Sequence, residues 1–330
     1  MRAARWAASC AALLAATTLA GRAPAQDRLI LGLPVDCILG ETCHIQQYTD
    51  RDPGPGVRDF MCNGLTYDGH KGTDFALPSR AAMRAGVAVL AAAPGRVRGV
   101  RNAMEDRAYT PDMAAALGGR NCGNGVVIDH GGGWETQYCH MRKGSVTVRP
   151  GDRVKRGDRL GLVGLSGRTQ FPHAHLSVRH AGRVVDPFAP DGPVACDGAQ
   201  PSDTLWQDTP AYAPGGIIAA GIATTVPSFE EIKDGVAHAA TLDSDAPALV
   251  GWGYAFGGRA GDVVRLSLMG ARGEIVTHDA TLDKAQAQFF RAAGRRARGR
   301  GWGPGRIVLR VTLIRDGEEI DSAEASARIE

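Results

Sequence analysis

Beyond its first two dozen residues the sequence has no apolar run approaching the roughly 20 residues that a membrane-spanning helix needs, so no span is expected in the body of the chain. It also has little net charge. Lys and Arg number 38 against 35 Asp and Glu, and the first 25 residues carry Arg2, Arg5 and Arg22 without an acid, which leaves 35 of each sign in the rest. A balanced chain creates no field that would steer it to nucleic acid or to an anionic membrane, and neither is expected as a partner. Amphipathic helical periodicity is scarce too. Glycine, at 44 residues, instead breaks the chain into short apolar runs, which argues against a helical bundle and for short strands and tight turns.

What is present begins with MRAARWAASCAALLAATTLAGRAPA. Two arginines precede an Ala-rich apolar stretch that closes on Ala23-Pro24-Ala25, the pattern of a secretory signal peptide over residues 1–25. The protein is therefore expected to be exported and to work in solution, in the periplasm or outside the cell. Cys10 leaves with that segment. Six cysteines remain, Cys37, Cys43, Cys62, Cys122, Cys139 and Cys196, and an even number in an exported chain points to disulfides, with Cys37 and Cys43 the expected local pair. The remaining length exceeds one ordinary core. A Pro, Gly, Asp and Ala-rich stretch marks a linker at residues 191–214, between a first unit at 69–190, with residues 26–68 packed along it, and a second at 215–330.

Three segments of the first unit hold its notable histidines. In Gly69-His70-Lys71-Gly72-Thr73-Asp74-Phe75-Ala76 a glycine-bearing turn leads into a strand and can fold an imidazole and a carboxylate onto one point. By itself this spacing arises often by chance, as a hydrogen-bonded surface pair. The second segment, residues 125–140, reads as two strands joined by Gly131-Gly132-Gly133. Strict alternation would put Tyr138 and His140 on one face and Cys139 on the other. His130, at the turn, reads as a histidine bonded to backbone. The third, Phe171-Pro172-His173-Ala174-His175-Leu176-Ser177-Val178, alternates like a half-buried strand, so His173 and His175 share a face while Ala174 and Leu176 share the other. Placing two titratable rings side by side costs energy unless a metal or a proton transfer uses them. His70, Asp74 and one of the pair His173/His175 supply two nitrogens and one oxygen. That is a three-ligand zinc set with a fourth position open, the arrangement of a catalytic rather than a structural site. His140 and the other member of the pair are left to move a proton or to stabilise an oxyanion.

The order His-x-x-x-Asp, then a strand ending Tyr-x-His, then Pro-His-x-His resembles the lysostaphin-like (LytM-type) zinc metalloendopeptidases over residues 69–187. The resemblance implies an all-β, antiparallel-sheet metallopeptidase domain of the duplicated hybrid motif, barrel-sandwich-like kind, with a narrow groove above the metal. It implies Zn2+ held by His70, Asp74 and His175, catalytic roles for His140 and His173, and hydrolysis of peptide cross-links or stem peptides of bacterial peptidoglycan. His173 is expected to act as general base and His140 to hold the oxyanion, two roles that are interchangeable on this reading. The rival within the same fold is a catalytically inactive peptidoglycan-binding or hydrolase-activator module, against which the presence of all five residues weighs. A carrier-protein reading of residues 146–161, with their Gly-Asp turns, lacks a modifiable lysine in the required setting. Two features depart from the family pattern. Phe171 and Ala174 stand where Gly and Leu are usual, and residues 98–120 intervene between two strands as a loop expected at the groove edge.

After residue 215, apolar strand patterns at 249–256, 263–269, 274–278, 307–314 and 320–329 suggest a small β-sandwich accessory domain. His238 and His278 read as surface histidines. Arg291, Arg295, Arg296, Arg298, Arg300 and Arg306 read first as a solvated loop, and second as a patch for an acidic wall polymer or a protein partner.

Overall fold

The computed structural model describes residues 28–192, 196, 201–298 and 301–330, so the signal-peptide reading of residues 1–25 lies outside the described residues. The fold is all-β. Ten strands form the first unit: β1 (His44–Gln47), β2 (Thr73–Ala76), β3 (Ala88–Leu90), β4 (Gly95–Arg101), β5 (Asn124–Gly131), β6 (Trp134–Met141), β7 (Arg153–Val154), β8 (Arg159–Leu162), β9 (His173–His180) and β10 (Arg183–Val185). Seven of them make one antiparallel sheet in the order β1-β2-β9-β6-β5-β4-β7, with β10 added to the end of β9, and β3 pairs with β8 apart from it. β5 and β6 join through Gly131, Gly132 and Gly133, all at positive φ, the conformation that turns a hairpin without a Cβ penalty.

One face of this sheet carries Phe75, Ala174, Leu176, Val178, Val126, Ile128 and Tyr138 into a single buried cluster with Val89 and Leu160 from the β3-β8 pair. Residues 28–65 belong to the same cluster. Leu31 and Tyr48 are fully buried, and Phe60 stacks on Phe188 with Tyr48 and Tyr212 edge-on. Disulfides join Cys37 to Cys43, Cys62 to Cys196 and Cys122 to Cys139, so the expected local pair forms and the other four cysteines pair as well.

The second unit has eight strands: β11 (Gly216–Ala223), β12 (Thr241–Leu242), β13 (Ala248–Gly258), β14 (Val263–Gly270), β15 (Gly273–Thr281), β16 (Gln286–Arg296), β17 (Gly305–Arg315) and β18 (Glu318–Ile329). The sheets β11-β13-β16 and β12-β18-β17-β14-β15 enclose a second core built on Leu249, Leu266, Leu268, Leu309 and Val311. Three of these strands, β11, β16 and the two-residue β12, are hidden in the sequence. β11 is interrupted by Gly221, which lies opposite Trp252, where a Cβ would come within 2.2 Å of the indole. β16 is a polar edge strand. Arg291, Arg295 and Arg296 therefore lie on a strand and Arg306 on β17, not in one loop, which corrects the first reading of the cluster; Arg300 is outside the described residues.

The two units touch beside β1. Gln46 donates to the Ala287 carbonyl at 2.9 Å and accepts from Gln288 at 2.8 Å, the His44 ring lies 4.5 Å from that of Phe256, and Arg80 pairs with Asp234 at 2.9 Å and with Glu230. The last contact joins helix α1 (Arg80–Ala85), capped by Ser79, to a later capped helix at Phe229–Asp234.

Asp186 is a buried carboxylate whose Oδ1 accepts from the Phe188 amide at 3.0 Å while Oδ2 has no hydrogen-bond partner. Burial pushes its pKa up to about 6, and the Phe188 amide and Arg51 only partly oppose this. The folded state therefore binds the proton more tightly than the unfolded chain, whose carboxyl titrates near 3.9, and the cost of this charge grows as pH rises from about 4 to about 6. Asp186→Asn keeps the acceptor and removes the charge. Its melting temperature should exceed that of the parent above pH 6, with the gain shrinking to nothing near pH 4; a gain independent of pH in melting curves would contradict this account.

Candidate metal centre

The face of the sheet opposite the core holds the chemistry. Asp74 on β2 is directly paired with His175 on β9, and Ala76 with His173, so Asp74, His173 and His175 point to one side. His70 comes from the turn before β2 and reaches the same point. Asp74 Oδ1 is 2.7 Å from His175 Nδ1, 3.2 Å from His70 Nε2 and 3.4 Å from His173 Nε2, and His70 Nε2 is 3.1 Å from His175 Nδ1. One ligand atom from each of His70, Asp74 and His175 lies within 4.8 Å of the others, and it is His175 rather than His173 that completes this group.

Each ring is fixed from behind. His70 Nδ1 donates to the Tyr48 carbonyl at 2.6 Å, which leaves Nε2 with its lone pair toward Asp74. His175 Nε2 meets Ser177 Oγ at 2.9 Å, freeing Nδ1. His173 Nδ1 sits between the Phe171 carbonyl at 3.0 Å and Thr169 Oγ1 at 3.1 Å, so its Nε2 also faces the cluster. His140 Nδ1 donates to the Ser166 carbonyl at 2.8 Å, and its ring centroid lies 4.6 Å from that of His173. For His70, His140 and His173 the carbonyl acceptor selects the tautomer that presents a bare nitrogen inward, as the supporting contacts of metal-binding histidines do; for His175 the Ser177 hydroxyl orients the ring.

Burial governs the charges. It disfavours ionised Asp74, yet His70, His173 and His175 outweigh it and hold the carboxyl well below the usual range. Burial would likewise lower the His70 pKa, but Asp74 outweighs it and the net direction is up. For His175 burial wins over Asp74 and the pKa falls. For His140 burial, with His173 and His175 beside it, holds the pKa well below that of a free imidazole, so the ring is neutral near pH 7.

His140 reaches this face by a route that alternation does not foresee. Tyr138 pairs with Leu176 and points into the core, where its hydroxyl accepts from the Ala92 amide at 2.7 Å. Cys139 pairs with His175, on the site face. The expectation that Tyr138 and His140 share a face is thus wrong. Between the pairs Val126↔Tyr138 and Asn124↔Met141, Cys139 and His140 oppose the single residue Gly125, a bulge, and His140 has φ of +60°. The extra residue and the left-handed backbone turn the imidazole back to the site side. The Cys122–Cys139 disulfide and the bond from His140 N to the Cys122 carbonyl at 2.8 Å hold the bulge.

Of the other histidines, His130 bonds the Pro94 carbonyl and Thr136 away from the cluster, and His238 and His278 are exposed. Sequence reasoning missed Tyr67, whose half-exposed ring lies 4.4 Å from that of His70, and the supporting Tyr48 carbonyl, Ser177 and Thr169. Only Ser177, two residues from His175 on the same strand face, carried a readable signal.

Residues 68–187 match peptidase family M23. This stretch is an M23 domain. Two curated relatives that the M23 domain resembles are the peptidoglycan DD-endopeptidases ShyB and ShyA of Vibrio cholerae, at 34% and 35% identity over 126 residues, or 38% of this chain and 24% of each relative. The chain thus aligns with about a quarter of their length. Among solved structures, a mutant catalytic domain of the prophage-encoded M23 protein EnpA from Enterococcus faecalis is 25% identical and covers 47% of this chain and 96% of its own, with a TM-score of 0.33.

Gly125 tests the bulge in the M23 domain. A Cβ there would lie 2.2 Å from the Tyr138 carbonyl oxygen, whereas one at Gly99 meets nothing within 4 Å. Gly125→Ala should destabilise the fold by at least about 2 kcal/mol, and Gly99→Ala by no more than about 0.5 kcal/mol, in denaturant titrations; equal effects would mean that the bulge is not a constraint.

Proposed function

We propose that this chain is an exported zinc endopeptidase that hydrolyses peptide cross-links or stem peptides of bacterial peptidoglycan. The observation that carries the reading is the convergence of His70, Asp74 and His175 in a domain whose relatives include proteins named as peptidoglycan DD-endopeptidases. Two imidazole nitrogens, each aimed inward by a supporting bond, and one carboxylate oxygen suit Zn2+ and leave a coordination position open. When bound, such an ion supplies Lewis-acid chemistry, polarising a carbonyl oxygen and acidifying a water molecule.

The chain's own residues account for the proton. His140 and His173 each present Nε2 with its lone pair inward, because Nδ1 is engaged by the Ser166 carbonyl in one and by the Phe171 carbonyl with Thr169 in the other. Either ring can take the proton of an attacking water, and the ring that has taken it is then an N–H donor for the oxyanion and an acid for the leaving amine. This explains why the two roles are interchangeable. The peptidase unit of the proposal is 69–190, with 26–68 packed along it and 215–330 an accessory sandwich reached through 191–214. Three disulfides support an oxidising compartment, in keeping with the signal-like N-terminus.

His70→Ala, Asp74→Ala and His175→Ala should each lower bound zinc, whereas His140→Ala and His173→Ala should keep about one equivalent by elemental analysis and lose at least about 100-fold in rate. Loss of zinc in His140→Ala would refute the division of roles. Digestion of purified peptidoglycan by the zinc-loaded protein should be abolished by a chelator, and absence of any chelator-sensitive cleavage would favour a binding or activator module instead.

A further inference from the structure

We infer that Arg168 is a specificity-determining residue that binds a carboxylate of the peptide substrate next to the scissile bond. The inference rests on the endopeptidase reading for the identity of the ligand as a peptide. Arg168 lies in the segment that leads into β9, one residue before Thr169, whose hydroxyl contacts His173 Nδ1. Its guanidinium is exposed and lies 5.6 Å from the centroid of the Tyr109 ring, and among the described residues no carboxylate lies within 4 Å of it. Tyr109 belongs to residues 102–123, which intervene between β4 and β5; the stretch expected as a loop over 98–120 begins inside β4 and holds helical turns at Pro111–Met113 and Ala114–Leu117. The half-exposed Tyr67 ring lies 4.4 Å from that of His70, and burial and Asp74 push its phenol pKa up while Arg168 opposes them. A cation without an acidic partner is thus carried by the residue next to Thr169, which touches His173, on the same short loop that precedes the metal cluster's strand β9.

The backbone around Arg168 is built to hold that position. Gly167 has φ of +87°, and a Cβ on it would lie 2.3 Å from the Asn121 carbonyl oxygen, which itself accepts from Arg168 N at 2.8 Å. On the far side, Tyr109 N donates to the Thr169 carbonyl at 2.7 Å, and Arg107 N to the Leu165 carbonyl at 3.0 Å. The intervening stretch is thereby laced to the loop before β9, so the Tyr109 ring and the loop that carries the guanidinium are joined by backbone hydrogen bonds. A preorganised planar fork, stacked on an aromatic ring and free of a competing acid, recognises a carboxylate bidentately. Replacing that carboxylate by an amide removes one charge-assisted pair, which corresponds to roughly 10- to 100-fold in binding.

The test uses two synthetic cross-linked peptide dimers that differ only in whether the carboxyl groups flanking the scissile bond are free or amidated. The full zinc-loaded chain should show kcat/KM about 10- to 100-fold higher for the free-acid dimer. In Arg168→Gln that ratio should fall to near one with zinc content unchanged, and Arg168→Lys should recover part of it. Calorimetric binding of both dimers to His173→Ala, with and without Arg168→Gln, separates this inference from the peptidase reading. If neither dimer is cut but the free acid binds more tightly through Arg168, the inference stands and the hydrolase reading fails. Equal handling of the two dimers by the parent chain, or a ratio unmoved by Arg168→Gln, overturns the inference.

Discussion

A single buried carboxylate oxygen organises this molecule's chemistry. Asp74 Oδ1 lies within 3.4 Å of nitrogens from His70, His173 and His175, and burying such a charge is costly unless cationic or polar partners surround it. The partners come from a turn and from a neighbouring strand, so the carboxylate can be satisfied only when β2 and β9 are paired in the observed register. A slip of one residue would send Asp74 and both strand histidines to the core face, and the aliphatic residues to the site face. Register, core and site are therefore one constraint expressed three times.

The outward contacts of the rings extend that constraint. Tyr48 ties His70 to the chain leaving β1, Ser166 and Thr169 tie His140 and His173 to the loop before β9, and Cys122 anchors the bulge that aims His140. None of these supports carries an ionisable group. They are carbonyls, hydroxyls and a disulfide, which orient without adding charge to a region where ionised groups are already expensive. The same loop that fixes His140 and His173 also displays Arg168, so the geometry of the reacting groups and that of the approach to them are set by one short segment.

The C-terminal sandwich stands beside β1 rather than apart from the first unit. Its Phe256 ring meets His44, and its edge strand β16 exchanges hydrogen bonds with Gln46. His44 pairs with Ala76, which pairs with His173, so this contact continues the row of residues that faces the site. Burial on this row lowers the His44 pKa to about 4, keeping it neutral against the apolar ring.

Much of this was written locally. The His-x-x-x-Asp turn, the pair His173/His175 at strand spacing and the glycine hairpin between β5 and β6 are short-range patterns, and alternation fixes which residues share a face whenever a strand is regular. The all-β class followed from glycine-punctuated apolar runs, and the pairing of Cys37 with Cys43 from proximity. What the sequence could not decide depended on irregularity or on distance. His140 faces the site because an extra residue and a left-handed backbone break the alternation, β11 and β16 are strands because of what packs across from them, and Arg168 gains meaning only from Tyr109 and Tyr67, which are remote in the chain. Period and spacing are properties of neighbours along the chain; bulges, edges and converging side chains are settled when distant segments compete for the same space, and that competition exists only in the folded molecule.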